Sequence, residues 1–494
     1  MKKIMLLFVL VSFVFSIAAY AGQEDKIIDR YKKATGGDAI KKITNRVVTG
    51  SVTQGNFTGQ FLAQSGRPDR IRLDIEVNNS KLTECYNGNS AWQQNDQNLQ
   101  TLINTEAKTL RLKALLTNTY LRDLSKYRVL SKYLGKVQVN GVETEAVEFN
   151  LNGVYIKVMF DPKTGLIVKE ERQLNEGIEE TFYQNYQSVN KVAEPFLIKI
   201  KRPNRELEIK VDKIEHNTKL AETAFRYPSV DGSKPIPDIE EVIKALTINQ
   251  EKIKELRELY SFRSAETQKQ LDGDGQVKET TTRVYEVTPI VGTFVQRLIS
   301  VNGVELSKSD KEKEDKKVKK EIENAKKEQK KRENKKKDDD DDSISIQTFL
   351  KILSVKDARR DKFRGQEVLI FDFEPRKDFK PKNLAENVVS KLVGSIFIDE
   401  NAKQIARLEA RLSDSVKIGG GLLASLSPSS AFVFEQEKIR DEVWLPSYEE
   451  INFGGKAFLF VKFNQNQITQ YSDYQKYQTD VEIKSEPEIS SDSN

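Results

Sequence analysis

His216, in Glu215-His216-Asn217, is the only histidine in 494 residues, and Cys85 is the only cysteine. A hydrolytic triad or a zinc site needs several such groups to converge. Any catalytic centre here would have to be built from scattered carboxylates and hydroxyls. His216 reads as a polar surface histidine. Cys85, in LTECYNG on the strand face opposite Leu82 and Tyr86, reads as a small packing residue and not a reactive thiol. Asp272-Gly273-Asp274-Gly275 opens like a calcium loop, but Gln276 stands where a third carboxylate is needed, Val277 replaces the glycine and Arg283 takes the place of the bidentate glutamate. It reads as a hairpin turn. Gly419-Gly420-Gly421 lacks the lysine and the strand-to-helix context of a phosphate loop, and reads as a glycine-softened strand or flap beside an apolar cavity. No catalytic, cofactor-binding or metal set emerges, so a non-enzymatic protein without cofactors is expected.

The elements that would position any binding group follow a period of two. Ile71, Leu73, Ile75 and Val77 alternate with Arg72, Asp74 and Glu76, and Val154, Ile156, Val158 and Phe160 repeat the spacing. Asn87-Gly88, Asn140-Gly141, Asn152-Gly153 and Asn302-Gly303 supply the positive φ angles of tight hairpins. The pattern predicts a meander of half-buried antiparallel strands. Helices are few: Lys26 to Thr35, ended by Gly36-Gly37; Glu106 to Leu124, with Leu110, Leu112, Leu115, Leu116, Tyr120, Leu121 and Leu124 on a wide apolar arc; and Glu240 to Leu259.

The chain repeats itself. VNGVETEAVEFN around Gly141 matches RGQEVLIFDFEP around Gly365, so that Glu143 and Phe149 align with Glu367 and Phe373. Asp161, Ile167 and Glu171 align with Asp399, Ile405 and Glu409. Tyr86-Asn87-Gly88 precedes the first copy as Val301-Asn302-Gly303 precedes the second; Glu194-Pro195-Phe196-Leu197 follows the first as Glu442 to Pro446 follows the second. A period above 200 residues is too long for a solenoid and indicates two tandem domains. The expected division is a signal peptide at 1–21, a first domain at 22–228, a Pro/Gly/Ser-rich linker at 229–238, and a diverged second domain at 239–484. A charged insert occupies 308–342 and a disordered acidic tail 485–494.

Lys2 and Lys3 before the apolar run Ile4 to Ala18, then Ala19-Tyr20-Ala21, form a secretory leader with Gly22 as the mature start; uncleaved, it would be an N-terminal membrane anchor. Losing the two lysines lowers the net charge from +5 to +3, too little to steer nucleic acid. Without an internal disulfide, each domain of about 200 residues must be held by its core, burying roughly 70% of its unfolded surface. Within the insert, Lys311 to Lys337 holds fourteen basic residues against seven acidic ones, and Asp338 to Asp342 follow. Its i,i+4 pairs favour a solvated helix with almost no core face, projecting or disordered. A tether to an anionic membrane surface or to envelope proteins is the functional alternative.

YKKATGGDAIKKITNRVVTGSV, the strand-turn-strand CYNGNSAW and VDKIEHNTKLAETAFRYP resemble the periplasmic outer-membrane lipoprotein-sorting proteins of the LolA/LolB-like superfamily. The likeness covers Gln23 to Pro228 and, through the repeat, Ile239 to Lys484. It implies an α+β fold, mostly antiparallel β: two tandem curved sheets, each an unclosed barrel lidded by helices, whose concave apolar face receives acyl chains. The implied function is a non-catalytic carrier or binder of lipid or lipoprotein acyl chains in the periplasm. An envelope sensor or scaffold that binds protein partners is the alternative. The helix Glu106 to Leu124 would face the sheet, with Phe57, Phe61, Leu73, Ile75, Trp92, Leu112, Leu116 and Tyr120 as candidate pocket walls; the alternative is that they fill a closed core.

Overall fold

The computed structural model describes residues 22–228, 234–272, 277–290, 293–334, 349, 351–418, 423–428, 430–457 and 461–476. The leader, loop 273–276, Asp338 to Asp342, Gly419 to Gly421 and the tail lie outside the described residues. The alternating segments form strands. After helix α1 (Gln23–Thr35) come β1 (Asn45–Gln54), β2 (Phe57–Gly66), β3 (Arg70–Val77), β4 (Ser80–Tyr86), β5 (Ala91–Gln94) and β6 (Leu99–Leu102), then helix α2 (Asn104–Thr119). The chain returns through β7 (Leu130–Val139), β8 (Val142–Leu151), β9 (Val154–Phe160), β10 (Ile167–Leu174), β11 (Gly177–Val189), β12 (Val192–Arg202) and β13 (Arg205–His216). These make one antiparallel sheet, ordered β6-β5-β4-β3-β2-β1-β13-β12-β11-β10-β9-β8-β7. The two meanders meet at β1 and β13, and the outer strands β6 and β7 do not pair, so the sheet is curved but unclosed. A bulge at Thr49/Gly50 bends this central pair. A Cβ at Gly50 would stand 2.3 Å from the Lys210 carbonyl oxygen, so glycine is what lets the strands approach.

The second half opens with helix α3 (Ile239–Arg257), then β14 (Tyr260–Leu271), β15 (Val277–Ile290), β16 (Thr293–Val301), β17 (Val304–Glu305) and helix α4 (Lys308–Asn334). It continues with β18 (Leu353–Phe363), β19 (Gln366–Pro375), the short helix α5 (Leu384–Val389), β20 (Leu392–Asp399), β21 (Gln404–Leu412), β22 (Val416–Ile418), β23 (Ala424–Leu426), β24 (Ala431–Ile439), β25 (Val443–Ala457) and β26 (Val461–Lys476). The order is β17-β16-β15-β14-β26-β25-β24-β21-β20-β19-β18, with β22 and β23 paired off the main path. β14 joins β26 as β1 joins β13. Asn140-Gly141 and Arg364-Gly365 turn equivalent hairpins with nearly the same φ angles, 51° and 81° against 50° and 80°. Pro195 and Pro446 are likewise equivalent, each three positions in from its hairpin.

Three expectations change. Asn87-Gly88 turns β4 into β5, whereas Asn302-Gly303 turns β16 into β17, one hairpin earlier; that echo is local turn chemistry and not an equivalence. The long helix ends at Thr119 and not Leu124, because Tyr120 and Leu121 adopt left-handed φ of 52° and 59°. The Tyr120 hydroxyl donates to Glu194 at 2.8 Å, a tertiary bond that outweighs leucine's helix preference. The charged insert neither projects freely nor lacks structure over Lys308–Asn334: its helix lies along β16, where Glu314 accepts the Leu298 amide at 3.0 Å and Asp315 pairs with Arg297.

The halves pack through buried polar contacts. Asp372 accepts from Asn87 Nδ2 (2.8 Å), Ser90 Oγ (2.7 Å) and Arg359 Nη1 (3.2 Å), while Arg359 also donates to Ser90 and Thr101. Lys108 of α2 donates to Glu450 at 2.7 Å, and Arg407 to Asn104 at 2.7 Å. No helix among the described residues is long and apolar enough to cross a membrane.

Candidate functional site

Helix α2 crosses β3, β4, β8 and β9 and buries two faces. Leu112 and Leu115, fully buried, pack against Val147, Phe149 and Ile156 of the sheet and Ile27 and Ile28 of α1. Lys113, Leu116, Thr117 and Tyr120, spaced by three or four residues, fall on the adjoining face and look onto a cavity of about 130 Å³. Across it stand Phe61 of β2, Leu73 of β3, Ile198 and Ile200 of β12 and Ile209 of β13. An engineered apolar cavity of about 150 Å³ takes one benzene. The present space therefore admits a short stretch of hydrocarbon, and a longer chain requires α2 to move away from the sheet.

Of the eight candidate wall residues, Phe61, Leu73, Leu116 and Tyr120 line this cavity. Ile75 is buried opposite Phe61 in the neighbouring cluster with Val52 and Val77. Leu112 is turned into the packed core. Phe57 is 50% exposed, because it starts β2 at the hairpin tip beyond the reach of the helices. Trp92 is fully buried on the other face of the sheet. It pairs with Cys85, which pairs with Arg72, so the pleat places all three opposite Ile71 and Leu73. There Trp92 packs on Ala224 and Phe225 and donates to the Phe225 carbonyl at 3.3 Å. Cys85 shares that cluster, and burial pushes its thiol up, as befits a packing residue.

Charged residues at both ends of the cavity were missed. Arg172 Nε donates to Glu179 Oε1 at 2.5 Å and its Nη2 to Glu84 at 3.3 Å, while Arg202 donates to Glu179 Oε2 at 2.6 Å and to Glu84 at 3.2 Å. All four side chains are nearly buried. Burial alone would raise the two carboxyls, but the paired guanidiniums outweigh it and hold both below the usual carboxylate range. Beside them Glu170, on the cavity wall, accepts the Tyr183 hydroxyl at 2.8 Å, and burial raises its carboxyl. Burial likewise lowers the Lys113 ammonium.

At the other end Glu194 gathers Arg46 (3.2 Å), Tyr120 Oη (2.8 Å) and His216 Nε2 (3.0 Å). His216 is thus not a surface residue: its side chain is 2% exposed. Arg46 lies opposite His216 across β1 and β13, and that pairing brings both to Glu194. A signal for these groups existed in the register. Arg202 continues Ile198 and Ile200 at a spacing of two, and Glu84 sits between Leu82 and Tyr86, so charge stands in phase with the apolar face.

No family model and no curated protein matches the chain. Solved structures do. A DUF1329 family protein from Desulfovibrio piger is 12% identical over 41% of this chain and 97% of its own, with a TM-score of 0.29. A LolA superfamily protein from Nitrosomonas europaea is 9% identical over 41% and 96%, with a TM-score of 0.28. MucB of Pseudomonas aeruginosa, in its complex with MucA, is 6% identical over 92% and 99%, with a TM-score of 0.17. At these scores a likeness fixes neither a family nor an activity.

Proposed function

We propose that this chain is an exported, non-catalytic carrier or binder of lipid or lipoprotein acyl chains in the cell envelope, with the first sheet and α2 as its binding element. The cavity between Leu116 and the Phe61/Leu73/Ile198 wall carries this reading. Each methylene removed from water is worth about 0.8 kcal/mol, so roughly ten supply about 8 kcal/mol, near micromolar affinity before ordering costs. Such affinity allows both capture and release. Periplasmic residence follows from the leader, and the lysine-rich 311–337 segment is the place for contact with an anionic membrane surface or an envelope protein. Mass spectrometry of an organic extract of the purified mature protein tests the reading: acyl lipid in stoichiometric amount is expected. Its absence, with no uptake by the delipidated protein from vesicles, overturns it.

A second reading, an envelope sensor or scaffold for protein partners, is favoured by one feature. The face of the second sheet around Asp372 already serves as a protein-binding surface within the chain.

A further inference from the structure

We propose that the cargo of this cavity is a monoacyl carboxylate whose head is bound by the Lys113 ammonium; this rests on the acyl-binding reading above. Lys113 sits on the cavity face of α2, one turn before Leu116. Its nearest carboxylate oxygen, Glu179 Oε1, is 3.9 Å away, beyond hydrogen-bond reach, and that oxygen already accepts Arg172 Nε at 2.5 Å. No acceptor among the described residues takes any of its three donor protons. A largely buried ammonium left without acceptors is costly, and an oxyanion in the cavity would relieve that cost.

The charge balance around it points the same way. Arg172 and Arg202 are matched by Glu84 and Glu179, two cations against two anions, each carboxylate receiving both guanidiniums. Lys113 and Glu170 remain. The Glu170 carboxylate accepts the Tyr183 hydroxyl and no hydrogen bond from Lys113, so the ammonium is held only by the long 3.9 Å ion pair with Glu179. The opposite end offers no such vacancy, because Glu194 already takes Arg46, Tyr120 and His216. Between the ends, from Lys113 to Tyr120, the helix runs about 10 Å past Phe61, Leu73 and Ile198. The cavity is therefore polarised: an ammonium whose donor protons are unfilled at one end, then an apolar wall. A planar carboxylate adds few atoms and suits so small a space.

The test is calorimetric titration of the full-length mature protein, delipidated, with dodecanoate, dodecyl phosphate and dodecanol. Wild type should bind dodecanoate at least about ten-fold more tightly than dodecanol, the scale of one charge-assisted hydrogen bond. Lys113→Met should erase that preference, so that dodecanoate and dodecanol bind alike, and Lys113→Arg should restore it. Equal binding of dodecanoate and dodecanol by wild type overturns the carboxylate assignment and leaves the acyl reading standing. A stronger preference for dodecyl phosphate overturns the choice of carboxylate. A preference that survives in Lys113→Met removes Lys113 from the site. Binding of none of the three overturns both this proposal and the acyl reading. Should Lys113→Met not fold, acetylation footprinting of wild type decides instead: Lys113 shielded by dodecanoate and not by dodecanol supports the proposal, and equal shielding overturns it.

Discussion

Glu148, Lys157 and Glu171 form a cross-strand ladder on the first sheet, and Asp372, Ser395 and Glu409 occupy the same three positions on the second. On the first sheet the ladder is half-exposed, with Lys157 and Glu171 paired at 3.3 Å. On the second, Asp372 and Ser395 are buried, and Asp372 is bonded to Asn87 and Ser90 of the first half. The opposite faces differ too. The first sheet carries α2 and the cavity; in the second the segment after β17 becomes α4, lying along β16, and Phe349, Phe373, Leu353 and Val389 pack together instead. One strand order thus leaves a cavity beneath a helix in the first half and a buried polar contact with that half in the second. What is inserted between the meanders, and what is laid against the outer ladder, decide the use.

The largest effect is expected at the charged end of the cavity. Arg172→Ala leaves Glu84 and Glu179 buried with Arg202 and the more distant Lys113, and should cost about 3–5 kcal/mol, read as a fall in the denaturant midpoint. Because both carboxyls are lower in the folded state than in the unfolded chain, their contribution is present above the ordinary carboxylate range and is lost as pH falls below about 4.3. Wild type should therefore destabilise steeply in acid, and Arg172→Ala should flatten that limb. An unchanged acid limb would show that the pair does not govern it.

Next, Asp372→Ala strips Arg359 of its buried carboxylate and should cost about 3 kcal/mol, with calorimetry resolving two transitions as the halves uncouple. Glu148→Ala, at the equivalent position, should shift stability by no more than about 0.5 kcal/mol. Equal effects would break the contrast between the two ladders.

Leu116→Glu places a carboxylate on the cavity wall, and a loss of about 2 kcal/mol in ligand affinity, some thirty-fold in retention, is expected of a folded variant. A variant that unfolds outright would mean a sealed core. The smallest effect belongs to the charged insert. Replacing Lys311 to Asp342 by a short Gly/Ser linker should cost about 1 kcal/mol or less, since the contacts of α4 with β16 include the Leu298–Glu314 bond and an exposed ion pair. A larger loss of cooperativity would show that α4 is part of the fold.

The strand meander, the opening helices and the Gly141/Gly365 hairpins were legible in the residues, because alternation and turn chemistry act between near neighbours. Four of the eight expected wall residues were legible for the same reason: Phe61, Leu73, Leu116 and Tyr120 carry the correct phase. Trp92 was misplaced although its parity with Arg72 could be read only once Cys85 was paired to both, a matter of register between strands. The end of α2, the burial of His216 and most of the ring of arginines and glutamates depended on partners 22 to 118 residues away; only Arg172 and Glu179, seven apart, face each other across one hairpin. No local pattern reports such distances. The sequence by itself determined the period of the strands, the hairpins and which residues could face inward. Only the tertiary structure decided which inward faces meet a helix, a cavity or the other half of the chain, because the free energy of a buried charge depends on the groups that close around it and not on its neighbours along the chain.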